Sequence, residues 1–421
     1  MRSPTGLKIF VRGVVQGVGF RPFIFALATR HDLTGWVRNT SSGVEIEVFG
    51  ATEALRSFVR AIQVEKPPLA RIDALESQEN PFAEYRDFTI LTSQAEAGEF
   101  MPISPDVAIC ADCRRELFDP ADRRYRYPFI NCTNCGPRFS IIQDIPYDRS
   151  KTTMSGFPLC RNCHDEYENP LDRRFHAQPV ACPDCGPIIQ WSEAGVGATG
   201  RSPSGEDALQ AARAAIKEGK IVAIKGLGGF HLACDATNPQ AVETLRQRKK
   251  RSDKPFALMA FDLNTIEKYA VITPAEAELL RSAQAPIVLL ERNPGSKIAE
   301  QVAPGQRTLG FMLPYTPLHL LLLEPAPGFP EVLVMTSGNL SEEPVAYLDD
   351  EGVERLSPLA DGFLLHNRPI HMRTDDSVAR VVDGRTYLLR RARGYAPNSI
   401  ALPLPARGMP SVLATGAELK N

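Results

Sequence analysis

Two stretches decide how this chain is read: CADCRRELFDPADRRYRYPFINCTNCGP at residues 110–137 and CRNCHDEYENPLDRRFHAQPVACPDCGP at residues 160–187. Each opens and closes on a C-x-x-C pair, Cys110/Cys113 with Cys132/Cys135 and Cys160/Cys163 with Cys182/Cys185, and 18 residues separate the pairs in both. A C-x-x-C sets two sulfurs on one tight turn facing one ion, and four thiolates leave zinc no open position for water. Two structural zinc ions are therefore expected. The residues between the pairs repeat as well, ELFDPADRR against EYENPLDRR, which marks tandem copies of one metal-bound unit. Spacing alone leaves open whether the pairs close within a repeat or across the two. The ninth cysteine, Cys234, stands apart and reads as a small buried apolar residue.

At 421 residues the chain exceeds what one hydrophobic core supports, so several domains are expected. Lys and Arg total 48 against 50 Asp and Glu, a net charge of -2, so no global field recruits nucleic acid and any anion site must be local. The opening MRSPTGLKIFVRG lacks the apolar run of a secretory leader. Stretches such as LHLLLLEP stop far short of the ~20 residues that span a bilayer. A cytoplasmic protein with no membrane segment is expected, and in that reducing compartment C-x-x-C pairs favour metal over disulfide.

Upstream of the cysteines, within residues 1–92, strand patterns at 7–15, 35–40 and 44–49, helical patterns at 20–33 and 52–63, and a last strand from 71–76 and 88–91 give the order β-α-β-β-α-β. That predicts a ferredoxin-like α+β sandwich. Residues 105–190 show little periodicity and fold around their ligands. Residues 193–205 are rich in Gly and Ser and read as a linker. From 206 to 403, helical DALQAARAAIKEGK alternates with apolar IVAIKGL, APIVLLE and EVLVMTS, an α/β pattern. Residues 410–421, PSVLATGAELKN, read as the truncated start of a further domain. The whole is a multidomain α+β chain.

The stretch VVQGVGFR at 14–21 follows a strand and opens a helix, so the backbone of Gln16, Gly17, Val18, Gly19 and Phe20 aims N–H groups at one spot suited to an anion. Arg21 can add a bidentate grip on phosphate, and Asn39, closing the next strand, can hold a water in line with phosphorus. Taken alone, the same residues also read as a helix cap with a surface arginine. Residues 7–91 resemble the acylphosphatase family through VQGVGFR at 15–21 and GxVxN at 35–39. The resemblance implies that Arg21 binds an acyl phosphate, Asn39 positions the hydrolytic water, and loop amides stabilise the equatorial oxygens.

Farther on, LRQRKKRSDKP at 245–255 packs six cations before an apolar strand. By itself it reads as a solvated basic helix or as a patch for double-stranded RNA, the latter unsupported by the net charge. KGLGGFH at 225–231 and TSGNLS at 336–341 both follow strands, and such strand ends converge on one crevice. Residues 206–400 resemble the YrdC-like family of carbamoyl-adenylate-forming enzymes. The resemblance implies that Lys249, Arg251 and Lys254 contact ATP phosphates and that Thr336, Ser337 and Asn339 line the nucleotide pocket. Lys225, His231, Arg373, Arg380 and Arg391 are further candidates, His231 reading equally as a packed core residue.

The order of these parts resembles the HypF family of carbamoyltransferases in NiFe-hydrogenase maturation, with Thr374 a departure from its expected pattern. The resemblance implies that carbamoyl phosphate is hydrolysed to carbamate at the first site and that carbamate is adenylated with ATP and Mg2+ in the later domain. A final domain would transfer the group to a C-terminal cysteine of a partner protein, HypE. It also implies an enclosed passage between the sites, with zinc holding the domains in place. A regulatory RNA-binding protein with degenerate sites and a stand-alone acylphosphatase are the competing readings.

Overall fold

The computed structural model describes residues 5–81, 83–94, 102–194, 202–341, 343–400 and 410. Beyond Pro410, the expected start of a further domain lies outside the described residues, as does the middle of the expected linker. The chain divides into two compact units, Met1–Gly186 and Pro187–Asn421.

The first unit begins β1 (Thr5–Val14), α1 (Phe20–Arg30), β2 (Thr34–Thr40), β3 (Gly43–Gly50), α2 (Thr52–Val64), β4 (Arg71–Asn80) and β5 (Phe88–Ile90). Period-2 alternation buries Ile9 and Val11 of β1 and Val44, Ile46 and Val48 of β3. Against that face pack Phe20, Ile24, Leu27 and Ala28 of α1 and Leu55, Phe58 and Ile62 of α2, the 3–4 spacing of an amphipathic helix. The sheet order is β4-β1-β3-β2-β5, a ferredoxin-like sandwich with one strand more than expected. Residues 71–76 and 88–91 do not form one strand. β4 runs antiparallel to β1 at one edge, and β5 runs parallel to β2 at the other. β4 follows β1 as far as Asn80, and Pro81, which has no N–H to donate, lies just beyond its end.

In the zinc-finger module, α3 (Ala111–Leu117) and α4 (Arg161–Glu168) each start one residue after the first cysteine of a repeat. The repeats are related by an offset of 50 residues, visible even in the left-handed backbone of Arg126 (φ 57) and His176 (φ 53). Each repeat completes the other. Arg124 grips Glu166 with both guanidinium arms at 2.5 and 3.0 Å, while Arg123 donates to Glu166 at 2.6 Å and to Cys163 Sγ at 3.1 Å. In return, Arg173 and Arg174 bind Glu116, and Arg173 reaches Cys113 Sγ at 3.3 Å. This is the isologous exchange of a two-fold dimer, made within one chain. Burial raises the Glu166 carboxyl, but hydrogen bonds from Arg124 and Arg123 outweigh it and hold the group down to about 2.

The second unit contains β6 (Ile189–Glu193), α5 (Glu206–Lys217), β7 (Val222–Lys225), β8 (Phe230–Asp235), α6 (Pro239–Arg248), β9 (Ala257–Ala260), α7 (Leu263–Glu267), β10 (Ala270–Val271), α8 (Pro274–Leu280) and β11 (Ile287–Arg292). It continues with β12 (Thr308–Met312), α9 (Pro317–Leu322), β13 (Val332–Ser337), α10 (Asp349–Leu356), β14 (Gly362–His366), β15 (Val378–Val382) and β16 (Arg385–Arg390). One mixed sheet runs β16-β15-β11-β12-β9-β13-β8-β7-β14-β6, with β10 on β11. Its central strands are buried on both faces, which explains their unbroken apolar runs. Residues 189 and 190, which the sequence attaches to the zinc module, belong to β6, where Ile189 and Trp191 alternate inward and pair with β14.

Arg124 is 1% exposed, and replacing it by Leu leaves Glu166 half-satisfied beside a thiolate. Arg124→Leu is expected to cost about 3 kcal/mol, read as a lower urea midpoint together with faster loss of one zinc to a chelator.

Candidate functional site

The expected phosphate loop is built by opposing demands on its residues. Val15, Val18 and Phe20 are anchored in the core, while Gly17 (φ 71) and Gly19 (φ 74) adopt left-handed backbone. Such a conformation costs glycine little. Gln16 locks the loop in place. Its Nε2 donates to the carbonyls of Thr40 and Gly43, both at 2.9 Å, and its Oε1 accepts from the Tyr147 amide at 3.0 Å. Arg21 and Asn39, 7% and 1% exposed, meet directly. With the carboxamide oxygen turned toward the guanidinium, Asn39 accepts from Arg21 Nε at 3.1 Å and Nη2 at 3.2 Å. The sequence-predicted residues of this site are thus brought together, and Arg21 is no surface cap.

The zinc module supplies the other wall of this pocket, which the sequence alone does not reveal. Thr133, Arg138, Tyr147, His176 and Gln178 line it opposite the loop. Arg138, 1% exposed, donates to the Gly17 carbonyl at 2.5 Å, to Cys135 O at 2.7 Å and to Thr133 O at 2.9 Å. One guanidinium therefore ties the loop to the second knuckle of the first cysteine cluster. The Tyr147 hydroxyl is buried with no partner among the described residues, and burial pushes it up to about 12. The only sequence signal for these residues is where they break the repeat: Arg138 corresponds to Ile188 and His176 to Arg126, while Tyr147 falls between the copies.

Burial, and then the charge of Arg21, push the His176 imidazole down to about 4, so it faces the pocket neutral. An unfolded imidazole titrates near 6.5. The stability that comes from keeping it neutral is present above that value and is lost as pH falls toward and through about 4. Urea midpoints of the native chain are expected to fall relative to His176→Gln between pH 6.5 and 4, and to diverge no further below.

The cysteine pairs close within each repeat. Cys110, Cys113, Cys132 and Cys135 form one cluster, and Cys160, Cys163, Cys182 and Cys185 the other, with the sulfurs of each inside 4.8 Å. Zn–S bonds of about 2.3 Å in a tetrahedron place sulfurs about 3.8 Å apart. The Cys110–Cys132 and Cys132–Cys135 separations are 3.7 and 3.9 Å, and those of Cys160–Cys182 and Cys182–Cys185 are 3.7 and 3.8 Å. Both sets fit zinc with no ligand position left for water. The arginines that donate to Cys113 and Cys163 stabilise thiolate charge from outside. Elemental analysis is expected to find about two zinc ions per chain, and Cys132→Ser/Cys135→Ser to leave about one.

In the second unit, β13 pairs with β8 so that Ser337 lies opposite His231 and Thr336 opposite Leu232, which sets the 225–231 turn beside the 336–341 loop. Lys249 is fully buried. Its ammonium donates to Ser337 O, Asn339 O and Asn339 Oδ1 at 2.7, 2.5 and 3.3 Å, so its three protons already hold the loop. Arg251 Nη1 stands 3.5 Å from Thr336 Oγ1. Burial, then Arg246 and Arg390, push its guanidinium down to about 10, and Arg390 is a neighbouring cation the sequence reading passes over. Lys254 has an exposed side chain and its carbonyl accepts from Arg251.

The basic run is not a solvated helix face. Arg246 donates to the carbonyls of Gln301 and Ser252, and Arg248 pairs with Asp361 at 2.8 Å. Lys225 is buried and paired with Asp349, with its ammonium also on His366 O at 2.9 Å. His231 is held by Asp376 at 2.9 Å, and Arg393 binds the other oxygen of Asp376 at 2.8 Å, so the imidazole is oriented rather than merely packed. Thr374 sits against Gly228, where a Cβ would come within 2.8 Å of its carbonyl. Arg373 and Arg380 are exposed, Arg380 on β15 opposite Tyr387, and Arg391 donates to the carbonyls of Tyr395 and Asn398. Among the described residues no side-chain hydrogen bond or ion pair joins these three to the 225–231 turn or the 336–341 loop.

Family models agree with this division. The acylphosphatase model matches residues 7–90, the HypF finger residues 109–142 and 159–191, and the Sua5, YciO and YrdC model, described as telomere recombination, residues 214–392. An acylphosphatase of Salinibacter ruber is 48% identical over 79 residues, 18% of this chain and 82% of that protein. Fold and site define a zinc-finger protein that carries an acylphosphatase domain and a YrdC-like domain. Over 99% of its length the chain is 49% identical to carbamoyltransferase HypF2 of Cupriavidus necator and 48% identical to carbamoyltransferase HypF of Synechocystis, in each case across 53% of the relative. A full-length HypF crystal structure in a phosphate- and nucleotide-bound form superposes with a TM-score of 0.88 at 51% identity, covering 94% of this chain and 51% of that one. The chain belongs to the HypF family and spans about half the length of these relatives. Among the described residues no helix is long and apolar enough to cross a membrane.

Proposed function

We propose that the chain performs the early steps of carbamoyl transfer for the cyanide ligands of the NiFe centre: hydrolysis of carbamoyl phosphate at the Arg21 site and formation of carbamoyl-adenylate in the YrdC-like domain. The observation that carries this reading is the direct contact of buried Arg21 with Asn39 beside a loop that turns on two left-handed glycines, Gly17 and Gly19. The amides of residues 16–20 and Arg21 take the phosphoryl oxygens, and Asn39 orients a water. The water oxygen bonds to phosphorus, the bridging P–O bond breaks, carbamate leaves with that oxygen, and both protons of the water end on the dihydrogen phosphate released.

In the second domain, ATP with Mg2+ supplies the adenylyl group. Arg251, Lys254 and Thr336 take its phosphates, Ser337 and Asn339 shape the pocket, and Lys249 holds their loop. Carbamate oxygen attacks the α-phosphorus and pyrophosphate departs. His231, oriented by Asp376, stands beside Ser337 on the neighbouring strand. Delivery to the C-terminal cysteine of HypE belongs to the remainder of the family's length.

The native chain is expected to catalyse pyrophosphate exchange into ATP only when carbamoyl phosphate is present. Arg21→Ala is expected to lower phosphate release by at least about a hundredfold and to remove that dependence. Exchange by Arg21→Ala at the native rate sinks the assignment of the first site.

A further inference from the structure

The zinc module does more to Arg21 than wall it in. The guanidinium has five N–H groups. Nε and Nη2 serve Asn39, Nη2 also donates to Asp148 Oδ1 at 3.0 Å and to Tyr147 O at 3.5 Å, and Nη1 donates to Ser93 Oγ at 3.3 Å. One Nη1 proton is left without a partner among the described residues. A bidentate grip on phosphate needs two parallel N–H bonds, so one present acceptor must let go when phosphate binds.

Asp148 is the acceptor suited to do so. Its side chain is 29% exposed against 8% for Arg21, so it has room to swing toward solvent, whereas Asn39 is fixed in β2 and buried. It is also the one acceptor of the four that bears a full negative charge, and a phosphate dianion beside it is repelled. The pair has a physical reason to exist. A guanidinium buried this deeply is costly without a counter-ion, and the module that buries Arg21 also brings the carboxylate that neutralises it.

Resting on the reading of Arg21 as the phosphate-binding residue, we propose that Asp148 is a positioning residue of the acyl-phosphate site, the resident counter-ion that phosphate displaces. Through Arg21 it weakens the hold on inorganic phosphate, so that the product leaves and the empty site keeps a satisfied charge. The zinc module thereby sets the affinity of a site whose phosphate loop lies in another domain.

The test is calorimetric titration of inorganic phosphate into the full chain, with two zinc ions per chain verified for every variant. Asp148→Asn removes the charge and nearly keeps the shape. It is expected to bind phosphate about tenfold tighter than the native chain, while Asp148→Glu, which restores a carboxylate, stays within about threefold of it. Equal or weaker binding by Asp148→Asn overturns the proposal, because a carboxylate with a merely structural role would not oppose phosphate. If Asp148→Asn and Asp148→Ala both lose their zinc, Asp148 is structural and the proposal falls. A native chain that releases no phosphate from carbamoyl phosphate, while Asp148→Asn still binds phosphate tenfold tighter, overturns the proposed hydrolysis and supports this inference.

Discussion

The first unit depends on a reciprocal clamp: two arginines of each cysteine repeat close on the glutamate and on one thiolate of the other. Four thiolates around a divalent ion leave excess negative charge, and a small module without much apolar core cannot tolerate that charge unpaired. Arg123, Arg124, Arg173 and Arg174 neutralise it from across the pseudo-dimer. Because Arg124 and Arg174 are almost wholly buried, each cluster is rigid only while the other repeat is in place. The segment between the repeats, which carries Arg138, Tyr147 and Asp148, hangs from this frame and reaches Gln16, Gly17 and Arg21.

Much of this was legible in residue patterns. The metal clusters follow from four C-x-x-C pairs with equal spacing, and the sandwich from alternation in β1 and β3 and the apolar stripes of α1 and α2. The turn between β1 and α1 follows from the glycines that separate a strand pattern from a helical one. The separation of β4 from β5 was not legible, because β5 is three residues long and its partner, β2, lies far back in the chain. Pairing within rather than across repeats was equally hidden, since both arrangements satisfy the same spacing. The arginine exchange was visible only as a repeated DRR whose target no local pattern names.

The YrdC-like domain shows where composition misleads. A run of cations in sequence suggests a charged surface, yet Arg246 and Lys249 are turned inward onto backbone carbonyls and Arg248 is paired with Asp361. Charge there is spent on holding loops in shape, and only part of it is left to meet a ligand. Sequence spacing cannot separate these uses, because burial is decided by strands far away, such as β13, whose last residue, Ser337, supplies one of the two carbonyls that Lys249 holds.

The reciprocal clamp also bears on how such a module can arise and change. A lone repeat has a pair of arginines with no target and a glutamate with no clamp, whereas two identical repeats related by a two-fold axis satisfy each other completely. Joining the copies in one chain makes the partner permanently available at high local concentration. Each half is then free to carry residues the other lacks, as at the equivalent positions Arg126 and His176. Duplication here produced both a brace and, on the faces left over, raw material for a binding pocket.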